Sequence, residues 1–166
     1  MTQEPIDVIV VGAGPAGLSA ALVLGRMRRR VLVLDTDAPA HAVSKEVHGF
    51  LSRDGTPPAE LRRVGRGQLA PYATVELRPV EARAARRLPG GGFEVDLGDG
   101  GRVTGRRLVL AHGMNYGLPD LDGVGELWGT KVFHCPYCHG WEVRERPLAV
   151  YGCGERAVHQ ALHLLR

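Results

Sequence analysis

The chain has 166 residues, of which 44% are hydrophobic and 23% charged, with a formal net charge of +3. That length suits one ordinary domain and is short for two, and the composition is that of a globular protein. No stretch approaches the roughly 20 apolar residues of a membrane helix, and the one dense basic cluster, Arg26 to Arg30, has no interleaved aromatics to stack on bases, so neither a membrane nor a nucleic acid is expected as a partner.

The opening "MTQEP" carries an acid rather than the basic region of an export signal. The cytoplasm is therefore the expected compartment, where cysteines read as thiols rather than structural disulfides. "DVIVVGAGPAGLSAALVLGRMRRRVLVLD" then reads as strand, glycine turn, helix, strand. Val8 to Val11 is the apolar run of a buried parallel strand. Gly12, Gly14 and Gly17 supply G-x-G-x-x-G: the first permits a tight turn, the second lets a pyrophosphate approach the backbone, the third brings helix close to strand. The helix opening near Pro15 and Ala16 points free N–H groups at those phosphates. Leu18, Ala21, Leu22 and Gly25 fall on one helical face. The second apolar run, Val31 to Leu34, ends at Asp35, where an acid accepts hydrogen bonds from adenosine ribose hydroxyls.

A long stretch without periodicity follows, and loops of that length are commonly functional. Within it His48 reads equally well as a cofactor-lining residue and as a surface histidine. Thr56, Pro57, Pro58 and Glu60 mark a helix start, and "TVELRPVEA" reads as one strand. Phe93, Val95 and Leu97 alternate, Gly98 to Gly101 turn, and Leu108 to Ala111 is expected as a buried strand. The order predicts a parallel sheet with antiparallel strands attached.

"HCPYCHG", His134 to Gly140, fits three chemistries by spacing: haem attachment, half a zinc ribbon, or a redox dithiol. Haem attachment requires export. Zinc requires four ligands, and no second C-x-x-C exists, so no metal is expected. Eight residues beyond Gly140, Leu148 to Tyr151 reads as a short strand, and Gly152, Gly154 and Ala157 give G-x-G-x-x-A before a helix. A redox pair set between two dinucleotide motifs suits both flanks. Cys135 and Cys138 can meet across one helical turn, and a helix start favours the thiolate. His139 is placed to hold or deliver a proton near neutral pH.

The run of G-A-G-P-A-G, "HGFLSRDGTPPAEL", "LVLAHGM", "HCPYCHGWEVRERPLAV" and "GCGERAVHQALHL" resembles the low-molecular-weight thioredoxin reductase family. It is most similar to the branch whose dithiol is followed by His-Gly, which includes dithiol oxidases of natural-product pathways. The resemblance implies an α/β fold: a three-layer, Rossmann-like FAD-binding domain with attached antiparallel strands over 1–115, and the start of a second Rossmann-like NAD(P)H domain over 116–166. It implies FAD held by Gly12, Gly14, Pro15, Ala16, Gly17, Asp35, His48 and Gly113, and NADPH or NADH over Gly152, Gly154 and Ala157. Cys138 is then the thiol nearer the flavin and Cys135 the one exchanging with substrate, with electrons passing from NAD(P)H through FAD to a thioredoxin-like protein or a small-molecule disulfide or dithiol.

Two departures bear on specificity. His139 stands where thioredoxin reductases proper place an acidic Asp, and Ala111-His112-Gly113 replaces the usual A-T-G. Only 12 residues follow Gly154, against the roughly 100 of a dinucleotide domain, so the chain reads as the front half of such an enzyme, lacking the C-terminal return of the FAD domain. Its activity alone is open, a homodimer is expected of the completed protein, and residues 148–166 are expected to pack loosely. The alternatives are a flavin-dependent dithiol oxidase using oxygen and a non-catalytic nucleotide-binding fragment.

Overall fold

The computed structural model describes residues 6–165; the opening residues 1–5 and Arg166 lie outside the described residues. The chain divides into two compact units, 1–42 with 59–116, and 43–58 with 117–166.

The first unit is a six-stranded sheet. β1 (Ile6–Val11), β2 (Val31–Leu34), β3 (Val75–Arg78), β4 (Ala82–Arg87), β5 (Phe93–Leu97) and β6 (Arg102–Leu110) lie in the order β3-β2-β1-β6-β5-β4. β1 pairs in parallel with β2 and β6, and β2 with β3, while β4, β5 and β6 run antiparallel. The expected parallel sheet with an antiparallel attachment is present. Period-two alternation divides the core. Val8, Val10, Val31 and Val33 face helix α1 (Pro15–Arg26) through Leu18 and Ala21, together with Leu69 at the end of α2 (Pro58–Leu69). Ile9, Leu32 and Leu34 turn to the other side and meet Val95 and Leu97 of the antiparallel strands. Burying each such side chain stabilises the unit by about 1.5–3 kcal/mol.

Several boundaries differ from expectation. Helix α2 begins at Pro58, because Thr56 is taken by a β-bridge to Val47. "TVELRPVEA" divides into β3 and β4 around Pro79, a residue that cannot donate to a ladder. The end of β6 is not buried: Leu108 and Val109 are half-buried and Leu110 is 64% exposed.

The second unit is built from short pieces. The 43–58 segment closes through Val47 and Thr56, with Gly55 N–H donating to the Val47 carbonyl. Helices α3 (Val124–Leu127), α4 (Pro136–His139) and α5 (Gly154–Leu164) follow, with a 3-10 turn at Trp141–Val143. The strand expected over Leu148 to Tyr151 does not form, since among the described residues no strand pairs with that segment. Helix α5 buries none of its described residues: Val158 is 60% and Leu162 58% exposed.

Candidate active site: a glycine cradle and a disulfide turn

In the first unit the strand order reverses around β1, and a ligand of an open α/β sheet binds beyond the strand ends at such a point. Gly12 follows β1 with φ +100. A side chain there would collide with the Ala111 carbonyl, where the chain leaves β6. Gly17 packs so closely that a Cβ would overlap the Gly12 carbonyl oxygen. Gly14 differs: nothing lies within 4 Å of the place its Cβ would occupy, and its φ of −76 demands no glycine. Open space at that position suits close approach of a phosphate.

Gly14 caps α1 without a side-chain hydrogen bond, Pro15 takes the first helical position, and no acid stands in the first turn. The backbone N–H groups at Ala16 and Gly17 thus belong to a helix start whose own first turn carries no acid. Asp35 closes the cradle. Its Oδ1 accepts the Ala13 N–H at 2.9 Å, and its Oδ2 pairs with Arg66 Nη2 at 2.8 Å. Arg66 also reaches Asp37 at 2.9 Å, and Arg62 pairs with the same Asp37. Arg66 and Asp37 were invisible to motif reasoning; the only sequence signal was the basic face of α2. Gly113 lies beyond β6 in an exposed, left-handed turn with φ +75.

In the second unit Cys135 and Cys138 form a disulfide, their Cα atoms 5.4 Å apart. Cys135 caps α4 in extended conformation, Pro136 begins the helix, and Cys138 follows one turn later. Gly140 N–H donates to the Pro136 carbonyl at 2.7 Å, and a Cβ on Gly140 would strike that carbonyl. The glycine after His139 is therefore what lets the turn close so tightly.

His139 stacks on Phe133, ring centroids 4.3 Å apart. Its Nδ1 is buried and has no hydrogen-bond partner among the described residues. Burial holds the imidazole below its ordinary pKa, charge on His48 and His134 adds to the depression, and Glu142 opposes it. His48 belongs to this unit. Its ring, 17% exposed, has Nδ1 3.5 Å from Asp54 Oδ2, and Nε2 3.5 Å from both Glu46 Oε2 and Glu142 Oε1. Asp54 is itself fixed by the Gly49 N–H at 2.7 Å, a bond that lowers its pKa. Sequence reasoning singled out His48 but missed its acids; Glu142, three residues after His139, carried a helical-spacing signal.

Gly152, Gly154 and Ala157 meet at the start of α5. A Cβ on Gly152 would lie 3.2 Å from that of Ala157, and Gly154 adopts φ +65. Tyr137, inside the dithiol motif, meets His163 of α5 edge-on at 5.0 Å. Cys153 is an exposed free thiol.

The family model for pyridine nucleotide-disulphide oxidoreductase matches residues 6–166. The thioredoxin reductase tcpT of Claviceps purpurea is 34% identical over 168 residues, covering 99% of this chain and 52% of that protein. The thioredoxin reductase of Bacillus subtilis is 27% identical, covering 100% and 52%. Among solved structures, HlmI superposes with a TM-score of 0.91 at 45% identity, covering 99% of this chain and 52% of that one. A putative thioredoxin reductase TrxB from Bacillus anthracis gives 0.90 at 34%, covering 96% and 54%. The chain spans about half the length of these relatives.

Proposed function

The chain belongs to the pyridine nucleotide-disulphide oxidoreductase family, and on that premise we propose that it serves an FAD- and NAD(P)H-dependent disulfide reductase of thioredoxin reductase type. The family's members use FAD and NAD(P)H. The observation that carries the proposal is the Cys135–Cys138 disulfide beside His139, in one chain with a glycine cradle that leaves Gly14 open.

The cradle fits a dinucleotide. Gly12 and Gly17 permit the turn, Gly14 leaves room for a pyrophosphate, and Ala16 and Gly17 present the helix start to it. Asp35 accepts from Ala13, Asp37 and Arg66 and keeps about one lone pair for a ribose hydroxyl, while its bond to Ala13 fixes the turn. FAD, when bound, supplies two-electron exchange. Gly152, Gly154 and Ala157 are the proposed seat of the NAD(P)H pyrophosphate, and Gly113 a further backbone contact to FAD.

Reducing the disulfide takes two electrons and one proton to give a thiolate and a thiol. His139, held below its ordinary pKa, is the neutral imidazole that can take the remaining thiol proton. The Cys135 thiolate then attacks the substrate disulfide, releasing one substrate sulfur as a thiolate and forming a mixed disulfide. Cys138, its proton passed to His139, attacks that bond as a thiolate, restoring Cys135–Cys138 and releasing the second substrate sulfur, which takes the proton back from His139. A thioredoxin-like protein or a small-molecule disulfide is the proposed substrate, supported by the names of the relatives, with a cytoplasmic homodimer as the proposed setting.

Incubating the chain with FAD and NAD(P)H and counting alkylated cysteines tests this. Bound flavin absorbance, with Cys135 and Cys138 becoming alkylated together, is the expected result. Oxygen uptake with a dithiol and no NAD(P)H would assign oxidase chemistry instead, and a colourless chain with unresponsive cysteines would overturn both.

A further inference from the structure

We propose that Glu142 and His48 are positioning residues for His139: Glu142 is shared between the loop histidine and the histidine beside the dithiol, and His48 governs how much of its charge reaches His139. The inference rests on the redox role of Cys135–Cys138 given above.

His48 has acids on both ring nitrogens. Asp54 occupies the Nδ1 side and is pinned there by the Gly49 N–H. Nε2 is divided between Glu46 and Glu142, each at 3.5 Å. Glu142 is the least exposed of the three acids, at 38% against 53% for Glu46 and 68% for Asp54, so its charge is the least screened by water. It is the middle residue of the 3-10 turn Trp141–Val143, which follows α4 with only Gly140 between that turn and His139.

The charged groups acting on His139 are Glu142, His48 and His134, with the Phe133 ring stacked on its face. Glu142 is the one carboxylate in that set. When His139 takes a thiol proton, the products are a thiolate and a half-buried imidazolium. That cation needs a counter-charge, and the nearby Glu142, whose charge opposes the lowering of the His139 pKa, supplies it. A charged His48 both draws on Glu142 and repels the imidazolium. His48 thus lies one residue removed from the chemistry, yet sets how readily the proton is held.

The arrangement predicts opposed effects of two substitutions. In the full chain with its disulfide intact, the His139 imidazole is titrated by NMR. Glu142→Gln is expected to lower the midpoint and His48→Gln to raise it, each by about half a pH unit, the order expected for one charge at the rim of a protein. The alkylation rate of the reduced dithiol should show its pH profile displaced in the same two senses. Purely structural roles would leave the midpoint in place or move it one way in both variants, and either outcome overturns the proposal. Glu142→Gln, isosteric and on an exposed turn, keeps its own direction readable if His48→Gln fails to fold. Thiol counts before and after reduction report separately on the redox role, so each idea can fail without the other.

Discussion

The sheet unit and the disulfide unit are held together by different forces. Every residue of the described hydrophobic core, from Val8 to Leu97, lies in the sheet unit, on its strands or on the helices and turn packed against them. Apart from Pro58, the disulfide unit has no buried apolar residue among those described; it relies on a covalent bond, ring stacking of His139 on Phe133 and of His134 on Trp128, and the acids around His48. The difference teaches what each part requires. A cradle for a dinucleotide must be rigid, and apolar burial supplies that. On the proposed function a dithiol that trades protons needs access to water, and His139 beside it is only half-buried, with local contacts.

Substitutions can break this contrast from the side of the sheet. Gly17→Ala forces a methyl onto the Gly12 carbonyl and is expected to destabilise by more than about 4 kcal/mol, a large share of a usual domain's stability. Gly14→Ala meets no atom of the chain, so its melting temperature should match the parent's while flavin affinity falls. Thermal melts with flavin titrations of both variants check this. Equal melting losses in the two would show that the turn geometry has been misread.

A smaller effect sharpens the same contrast. Ile9 is fully buried, and Ile9→Ala is expected to cost about 2–5 kcal/mol. Leu162, 58% exposed on α5, should cost no more than about 0.5 kcal/mol on the same change. Denaturant midpoints decide between them. In amide exchange, β1 and β2 should be well protected and 148–165 poorly so; strong protection of α5 would dissolve the distinction between the units.

The smallest expected effect is on pH dependence. The pKa of His139 is lowered by burial from its ordinary 6.5. The unfolded chain therefore binds that proton more readily, and the contribution is intact above pH 6.5 and lost as the pH falls through 6.5 toward the folded value. His41, in the sheet unit, has the same sign, lowered by burial and by Arg62. Replacing His139 with Asn should flatten the acid side of the stability profile, leaving the part due to His41. A steeper profile in the variant would reverse the sign.

The sheet's framework was legible because apolar runs and glycine spacing have their own periodicity. Val8 to Val11, the turn at Gly12 and Val31 to Leu34 fall where expected. The Leu148 to Tyr151 strand failed because an apolar run becomes a strand only with a partner to pair with, and none is present among the described residues. The Cys135–Cys138 pair was singled out by its spacing, but that spacing fits three chemistries, and only the glycine motifs on either side pointed to a disulfide. The ring of acids around His48 was not legible: Glu46 and Asp54 lie on a stretch without periodicity, and the spacing of Glu142 points to His139 rather than to the distant His48. Asp35 was expected to face a ribose, and its bonds to Ala13 and Arg66 come from tertiary contacts that no motif encodes.

What most directly tests the central claim is a redox titration of Cys135 and Cys138 in the full chain, read by mass spectrometry after alkylation across a series of thiol–disulfide buffers. Both cysteines should pass from blocked to alkylated together, in one two-electron transition, while Cys153 is alkylated throughout. Independent labelling of Cys135 and Cys138 in oxidising buffer would contradict the claim that this turn exists to carry electron pairs.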